Sequence, residues 1–168
     1  PDAAALQPLL GQLGFAAKVA SEKLGIASAT KMCRSVMIKG LEAMVIESFT
    51  TARHYGVEDA VIASLQETFP GIDWEKQGAY FFQRVIEHGR RRSEEVREVA
   101  VTVHEAGLVP HSATGTADRQ AWMADLADAG LKVRLRARAI DDGGVVLLHH
   151  DLLGLAKHVD GDVFELDA

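Results

Sequence analysis

Cysteine is almost absent from this sequence, and its scarcity excludes disulfide cross-links within the fold. Cys33 is the only cysteine among 168 residues, so nothing indicates an oxidising compartment. Long hydrophobic runs are also absent, because none approaches the roughly 20 apolar residues that span a bilayer. No charged-then-apolar leader opens the chain. We therefore expect a cytoplasmic protein with no membrane partner.

Positive charge is in short supply as well. Lys and Arg number 18 against 24 Asp and Glu, which gives a net charge of −6 and a pI near 5.6. Only residues 88–92 (HGRRR) and 132–138 (KVRLRAR) are locally basic. General nucleic-acid binding needs a basic footprint. Nucleic acid is therefore not an expected partner.

The sequence lacks the motifs that mark common catalytic and cofactor sites. Its seven histidines show no metal-ligand spacing and Cys33 has no CxxC partner, so no metal is expected. It has no GxSxG turn of a serine hydrolase, no Walker loop and no GxGxxG turn. The chain thus carries no dinucleotide-binding fingerprint of its own.

What the sequence does contain is helical periodicity in a globular composition, 48% hydrophobic and 25% charged. The pattern predicts a mainly α fold with helices at residues 1–14, 27–55, 57–69, 73–88, 93–107 and 112–130. The second helix is uninterrupted by proline and would be about 43 Å long, so we place it at the centre of the domain. Short strands are favoured at 15–21 and 132–140, and a further helix at 145–159.

Residues suited to helix ends support these boundaries. Asp73 and Ser93 can accept hydrogen bonds from the backbone N–H groups that begin a helix. Gly56 and Gly107 stand where a residue in the left-handed conformation ends one. Ser93 in particular predicts that a separate helix starts after the basic stretch 88–92.

A polar stripe interrupts the apolar start of the long helix. On a helical wheel Ser35 lies about 40°, Glu42 about 20° and Lys39 about 80° from Lys31. A lysine and a hydroxyl one turn apart can hold a hydroxy acid, since one group manages the hydroxyl proton while the other binds an oxygen. The alternative is a solvated stripe of charges, and by spacing alone that alternative is favoured.

The arginine run 90–92 also has two interpretations. Such a run is usually a solvated approach to a helix. It can also bind a carboxylate or phosphate, because the guanidinium group makes two parallel hydrogen bonds to these anions.

The stretch LGIASATKMCRSVMIKGLEAMVIESFTTARHYGVED (24–59) resembles the C-terminal helical domain of the 6-phosphogluconate dehydrogenase and β-hydroxyacid dehydrogenase superfamily. It is most similar to a branch of NAD(P)-binding oxidoreductases with a shortened C-terminal domain. The family pattern is Gly-x-Gly-x-x-x-Lys with Asn four residues later. Gly25 and Lys31 match it, whereas Ala27 and Ser35 depart from it. The segment 88–110 resembles a later part of the same branch.

The resemblance implies two domains. Residues 1–24 would be the end of an N-terminal cofactor-binding domain, a remnant of a Rossmann-type α/β fold. Residues 25–168 would be a helical substrate-binding and dimerisation domain, built around the long helix. The cofactor, NAD or NADP, would be bound mainly by the preceding domain, and the protein would be a homodimer.

The resemblance also implies an activity and assigns roles to residues. The chain would be the C-terminal half of an NAD(P)-dependent oxidoreductase acting on a small hydroxy acid or sugar acid, inactive when isolated. Lys31 would be the acid–base and Gly25 would contact the cofactor. Substrate binding would fall to Ser35, Lys39, Arg91 and Arg92. Ile38 replaces the glutamate of decarboxylating relatives, which argues against decarboxylation. The rival interpretation is a non-catalytic helical module for dimerisation or partner binding.

Overall fold

A computed structural model describes residues 3–129 of the chain, which form five α-helices. They are α1 (Ala3–Gln12), α2 (Ile26–His54), α3 (Glu58–Thr68), α4 (Trp74–Glu105) and α5 (His111–Asp128). Residues 3–129 contain no β-strand. The mainly α class predicted from the sequence is confirmed, whereas the strand predicted at 15–21 is wrong.

Helix α4 replaces two of the predicted helices. The segments 73–88 and 93–107 are one continuous helix of 32 residues, longer than the 29 residues of α2. Ser93 does not cap a helix; its hydroxyl donates to the backbone oxygen of Arg90 at 2.7 Å, within α4. The domain therefore has two long helices where the sequence predicted one.

Three helices form the body of the domain, with α4 in the middle. Helix α2 runs antiparallel to α4, since Lys39 pairs with Glu95 while Glu42, further along α2, pairs with Arg92. Helix α5 also runs antiparallel to α4, since Arg90 pairs with Asp125 while Arg97, further along α4, lies by Asp118. Helix α3 lies beside the start of α4, where the Trp74 indole N–H donates to the backbone oxygen of Leu65 at 3.1 Å.

The core consists of two apolar clusters with polar side chains between them. The larger cluster contains Val45, Ile46, Phe49, Trp74, Phe81, Phe82, Val85, Met123 and Leu126. The smaller one contains Val96, Val99, Ala113 and Ala117. Between them lies a polar layer of Lys39, Glu42, Arg92, Glu95 and Gln120. Burying charges here is costly unless they pair, so the packing depends on their partners.

Two glycines of α4 allow the helices to approach closely. A Cβ atom on Gly78 would lie 2.6 Å from Cε2 of Phe49 on α2. A Cβ atom on Gly89 would lie 2.7 Å from the backbone oxygen of Gln120 on α5. Gly89 therefore serves packing inside a helix and does not mark a helix end.

The other predicted helix ends, at Asp73, Gly56 and Gly107, are confirmed. The Asp73 carboxylate accepts a hydrogen bond from the backbone N–H of Lys76 at 3.0 Å. Gly56 and Gly107 have φ values of 68° and 85°, as left-handed residues after α2 and α4 should. The strand predicted at 132–140 and the helix predicted at 145–159 lie outside the described residues.

Helix α1 buries none of its residues. Four leucines of α1 and of the connection that follows it are exposed, and they are Leu6, Leu9, Leu10 and Leu13. The side of α1 on which these leucines lie is thus uncovered by residues 3–129. The assignment of residues 1–24 to a separate cofactor-binding domain stays a prediction.

Candidate functional site

The predicted catalytic lysine lies near the start of α2. Gly25 precedes this helix with a φ of 89°, a left-handed conformation that glycine adopts without strain, and no side chain caps the helix. The first turn also lacks an acidic residue. Lys31 follows on the second turn and is exposed to solvent. Its amine is therefore accessible to a small molecule at this end of the bundle.

The other predicted residues of α2 lie progressively deeper. Ser35 is half-buried, one turn after Lys31. Lys39 is only 8% exposed, and its Nζ lies 2.5 Å from Oε2 of Glu95. Helix α4 covers the side of α2 on which Lys39 lies, about 80° around the helix from Lys31. The stripe as a whole is therefore not a solvated face.

Glu95 is the common partner of the basic residues around Lys31. One carboxylate oxygen accepts from Lys39 and the other from Arg91. The hydrogen bond from Lys39 holds the pKa of Glu95 below its usual value against partial burial, and the charges of Lys39, Arg91 and Lys31 act in the same direction. Lys31 is thus close enough to influence this carboxylate, which ties α2 to α4.

Sequence analysis missed Glu95. With Ser93 taken as an N-cap, Glu95 fell into a first helical turn, where an acidic residue needs no other explanation. The signal that could have found it is the spacing of Arg91 and Glu95, four residues apart, which favours an ion pair on one continuous helix.

The three neighbouring arginines of the basic run have different partners. Arg90 pairs on the surface with Asp125 and Asp128 of α5. Arg91, 66% exposed at its side chain, lies beside Glu95. Arg92 is 4% exposed and pairs with Glu42. Only Arg91 is therefore both near Lys31 and open to solvent, although both Arg91 and Arg92 were predicted to bind substrate.

Glu42 sits at the centre of the polar layer and is 1% exposed. Besides Arg92, it accepts a hydrogen bond from Nε2 of Gln120 at 3.3 Å and lies 3.5 Å from Nε of Arg84. The pairing satisfies its charge with groups from two other helices. This arrangement accounts for Glu42 by packing alone.

A separate groove runs along the outer side of α2. It has a volume of about 770 Å³ and is bounded by α2, the start of α3 and the first half of α5. Its lining includes the exposed side chains of Met37, Met44 and Tyr55, together with Arg119, which pairs with Glu47. The groove is mainly apolar and lies on a different side of α2 from Glu95.

Within residues 3–129, no helix is long and apolar enough to cross a membrane. Nor does this part of the chain bring together three His, Cys, Asp or Glu side chains that could hold a metal ion.

Comparison with known proteins gives a family match and three relatives. Residues 52–123 match the model of DUF1932, described as a domain of unknown function. The chain is 32% identical over 109 residues to an uncharacterized 28.5 kDa protein in the 7S RNA 5′ region of Methanothermus fervidus. That match covers 61% of this chain and 40% of the relative.

Two solved structures are similar in both sequence and fold. A conserved hypothetical protein from Sinorhizobium meliloti 1021 is 39% identical with a TM-score of 0.71, over 78% of this chain and 44% of that one. Conserved protein MTH1747, of unknown function, is 28% identical with a TM-score of 0.59, over 74% and 48% of the two chains. MTH1747 is described as structurally similar to 3-hydroxyacid dehydrogenases.

The chain therefore spans less than half the length of each of these relatives. Its helices are those of a dehydrogenase-related domain, and the resemblance predicted from the sequence is confirmed. Residues 52–123 match the DUF1932 model, and the helices of this chain resemble those of MTH1747, the protein described as similar to 3-hydroxyacid dehydrogenases.

Proposed function

We propose that this chain is the helical, substrate-binding half of an NAD(P)-dependent oxidoreductase acting on a small hydroxy acid or sugar acid. The observation that carries the proposal is the position of Lys31. Its exposed amine lies one turn before the half-buried hydroxyl of Ser35. The chain is also similar to MTH1747, a protein described as similar to 3-hydroxyacid dehydrogenases. Arg91 and Lys39 add positive charge on the same side.

The described residues fit only one end of such a cofactor. They contain no strand and so no βα turn for the pyrophosphate, which the preceding domain would supply. The start of α2 has free backbone N–H groups after Gly25 and a positive helix end without an acidic residue. Gly25 would let the chain pass close to the cofactor there. A bound nicotinamide would supply the hydride acceptor or donor.

The chain's own residues would bind the substrate and move its proton. Lys31 would take the hydroxyl proton during oxidation and return it during reduction. Ser35 would hydrogen-bond the hydroxyl or carboxylate, and Arg91 would bind the carboxylate in a bidentate manner. Lys39, which is hydrogen-bonded to Glu95, would add a positive charge on the buried side of the site. The resemblance also assigns Arg92 to substrate binding. Because Arg92 is buried against Glu42, it would act indirectly, by fixing the position of α2 through Glu42.

The test of this function uses the full-length protein and the 168-residue chain side by side. The full-length protein should reduce NAD or NADP in the presence of a panel of small hydroxy acids, and the chain alone should not. Fluorescence titration that shows tight, stoichiometric binding of NADH or NADPH to the chain alone would contradict the proposal that the preceding domain binds the cofactor.

The groove on α2 favours a second role, homodimerisation through the helical domain. Met37 and Met44 are 72% and 62% exposed, and they lie seven residues apart along the groove. Burying such apolar surface is the main favourable term in most association. Light scattering at micromolar concentration should give a dimer, and Met44→Lys should give a monomer. A wild-type chain that is only monomeric would rule this role out.

A further inference from the structure

Lys39, Arg91 and Glu95 form a cluster in which one carboxylate serves two cations at once. Oε2 of Glu95 accepts from Lys39, which comes from α2, and Oε1 accepts from Arg91 on its own helix. The side chain of Glu95 is 33% exposed while that of Lys39 is 10% exposed. The carboxylate thus lies between the buried amine and the solvent. An anion entering from solvent meets Glu95 before it meets Lys39.

We infer that Glu95 is the internal counter-ion of this site and sets the charge of the anion that the site accepts. The inference rests on the proposed function, because it takes the cluster to be the substrate site. With Lys31 as the neutral amine that takes the substrate proton, Lys39 and Arg91 supply two positive charges and Glu95 cancels one of them. The single positive charge that remains suits an acid with a single carboxylate. Glu95 is a positioning residue, since it acts through the cations it holds.

The electrostatics give the inference a distinctive signature. Removing the charge of Glu95 strengthens the attraction for an anion in proportion to that anion's own charge. For a charge about 6 Å away in a water-like medium, the gain is about threefold in affinity for a monoanion and about tenfold for a dianion. A purely structural brace has no such dependence, because its loss weakens binding of both anions alike.

The experiment compares Glu95→Gln with a matched control, Glu94→Gln. Both remove one negative charge from α4, but residue 94 lies 100° around the helix and its side chain is exposed. Glycolate and malonate are the probes, as a monoanion and a dianion. Each is titrated at low ionic strength into the isotope-labelled 168-residue chain, following the backbone amides of Lys31, Ser35 and Lys39 by NMR.

We expect Glu95→Gln to tighten malonate binding about threefold more than glycolate binding, and Glu94→Gln to change neither. Glu95→Asp keeps the charge and should restore the wild-type ratio, which separates charge from loss of folding. Equal changes for both anions, or no saturable malonate binding to Glu95→Gln, would overturn the inference. Activity of the full-length protein on hydroxy acids does not depend on this ratio, so failure of the inference is distinguishable from failure of the proposed function.

Discussion

At the scale of single residues, the carboxylate of Glu95 makes stability depend on pH. Its pKa is lowered in the folded chain, chiefly by the hydrogen bond from Lys39. A group with a lowered pKa binds fewer protons in the folded state than in the unfolded state. Its stabilisation is therefore fully present above the unfolded value of about 4.3 and is lost as pH falls through the lower, folded value.

This predicts the behaviour of Glu95→Gln in denaturant unfolding. The variant should be less stable than the wild type at pH 7, and the difference should shrink steadily below about pH 4. The measurement is the free energy of unfolding of both proteins across that range. A difference that stays constant on acidification would show that Glu95 stabilises the fold by its shape and not by its charge.

At the scale of helices, the buried pair of Glu42 and Arg92 joins α2 to α4. Arg92→Met would leave the Glu42 carboxylate buried and without its main partner. Removing one member of a buried ion pair typically costs about 3–5 kcal/mol, so chemical denaturation should show a loss of that size.

Replacing both members tests whether the pair is needed for stability at all. The double variant Glu42→Met, Arg92→Met leaves no unpaired charge and fills a similar volume. We expect it to recover more than half of the loss seen in Arg92→Met, since such replacements are often neutral or stabilising. A double variant as unstable as the single one would mean that Gln120 and Arg84 also need the Glu42 carboxylate.

The close approach of α4 and α5 at Gly89 gives a third prediction. Gly89→Ala places a methyl group against the backbone oxygen of Gln120, which cannot turn aside, so the helices must separate. Overpacking of this kind costs about 1–3 kcal/mol. Gly115→Ala is the control, because nothing lies within 4 Å of its added carbon.

Gly115→Ala should stabilise α5 by about 0.5–1 kcal/mol, since glycine in a helix interior is less favourable than alanine by that amount. Thermal unfolding followed by circular dichroism compares the two variants. The same shift in both would show that Gly89 is not a point of tight packing.

These helices also show which parts of the fold could be predicted from the sequence. Periodicity predicted α2, α3 and α5 well, and Gly56 and Gly107 predicted the ends of α2 and α4, because those signals are local. They failed between residues 88 and 93, since Ser93 looks like a helix start and no local signal shows that Gly89 lies inside a helix. The real reason for each is an interaction: Gly89 packs on Gln120, and the Ser93 hydroxyl bonds within α4.

The candidate site was predicted in the same partial way. Lys31 and Ser35 could be found because they lie on one helix at a regular spacing and match a family pattern. Glu95 could not, because its role depends on which face of α4 meets α2. The burial of Lys39 and Arg92 follows from that same interhelical contact, which no single-helix pattern contains.

At the scale of the whole molecule, the chain spans less than half the length of the relatives described above. The exposed leucines of α1 and the uncapped start of α2 are both surfaces that an adjoining cofactor-binding domain could cover. In the proposed enzyme the active cleft lies at that junction. There the helical unit would supply the proton-transferring and anion-binding groups, and the adjoining domain would supply the cofactor.

The central claim is that Lys31 transfers the substrate proton, and the most direct measurement is kcat of Lys31→Met in the full-length protein. The change keeps the stem of the side chain and removes its charge, and because Lys31 is exposed it should leave the unfolding temperature almost unchanged. Loss of a positioned acid or base predicts a fall in kcat of about 10²- to 10⁴-fold. The exposed Lys76→Met should keep wild-type kcat. A Lys31→Met enzyme with near-normal kcat would contradict the account.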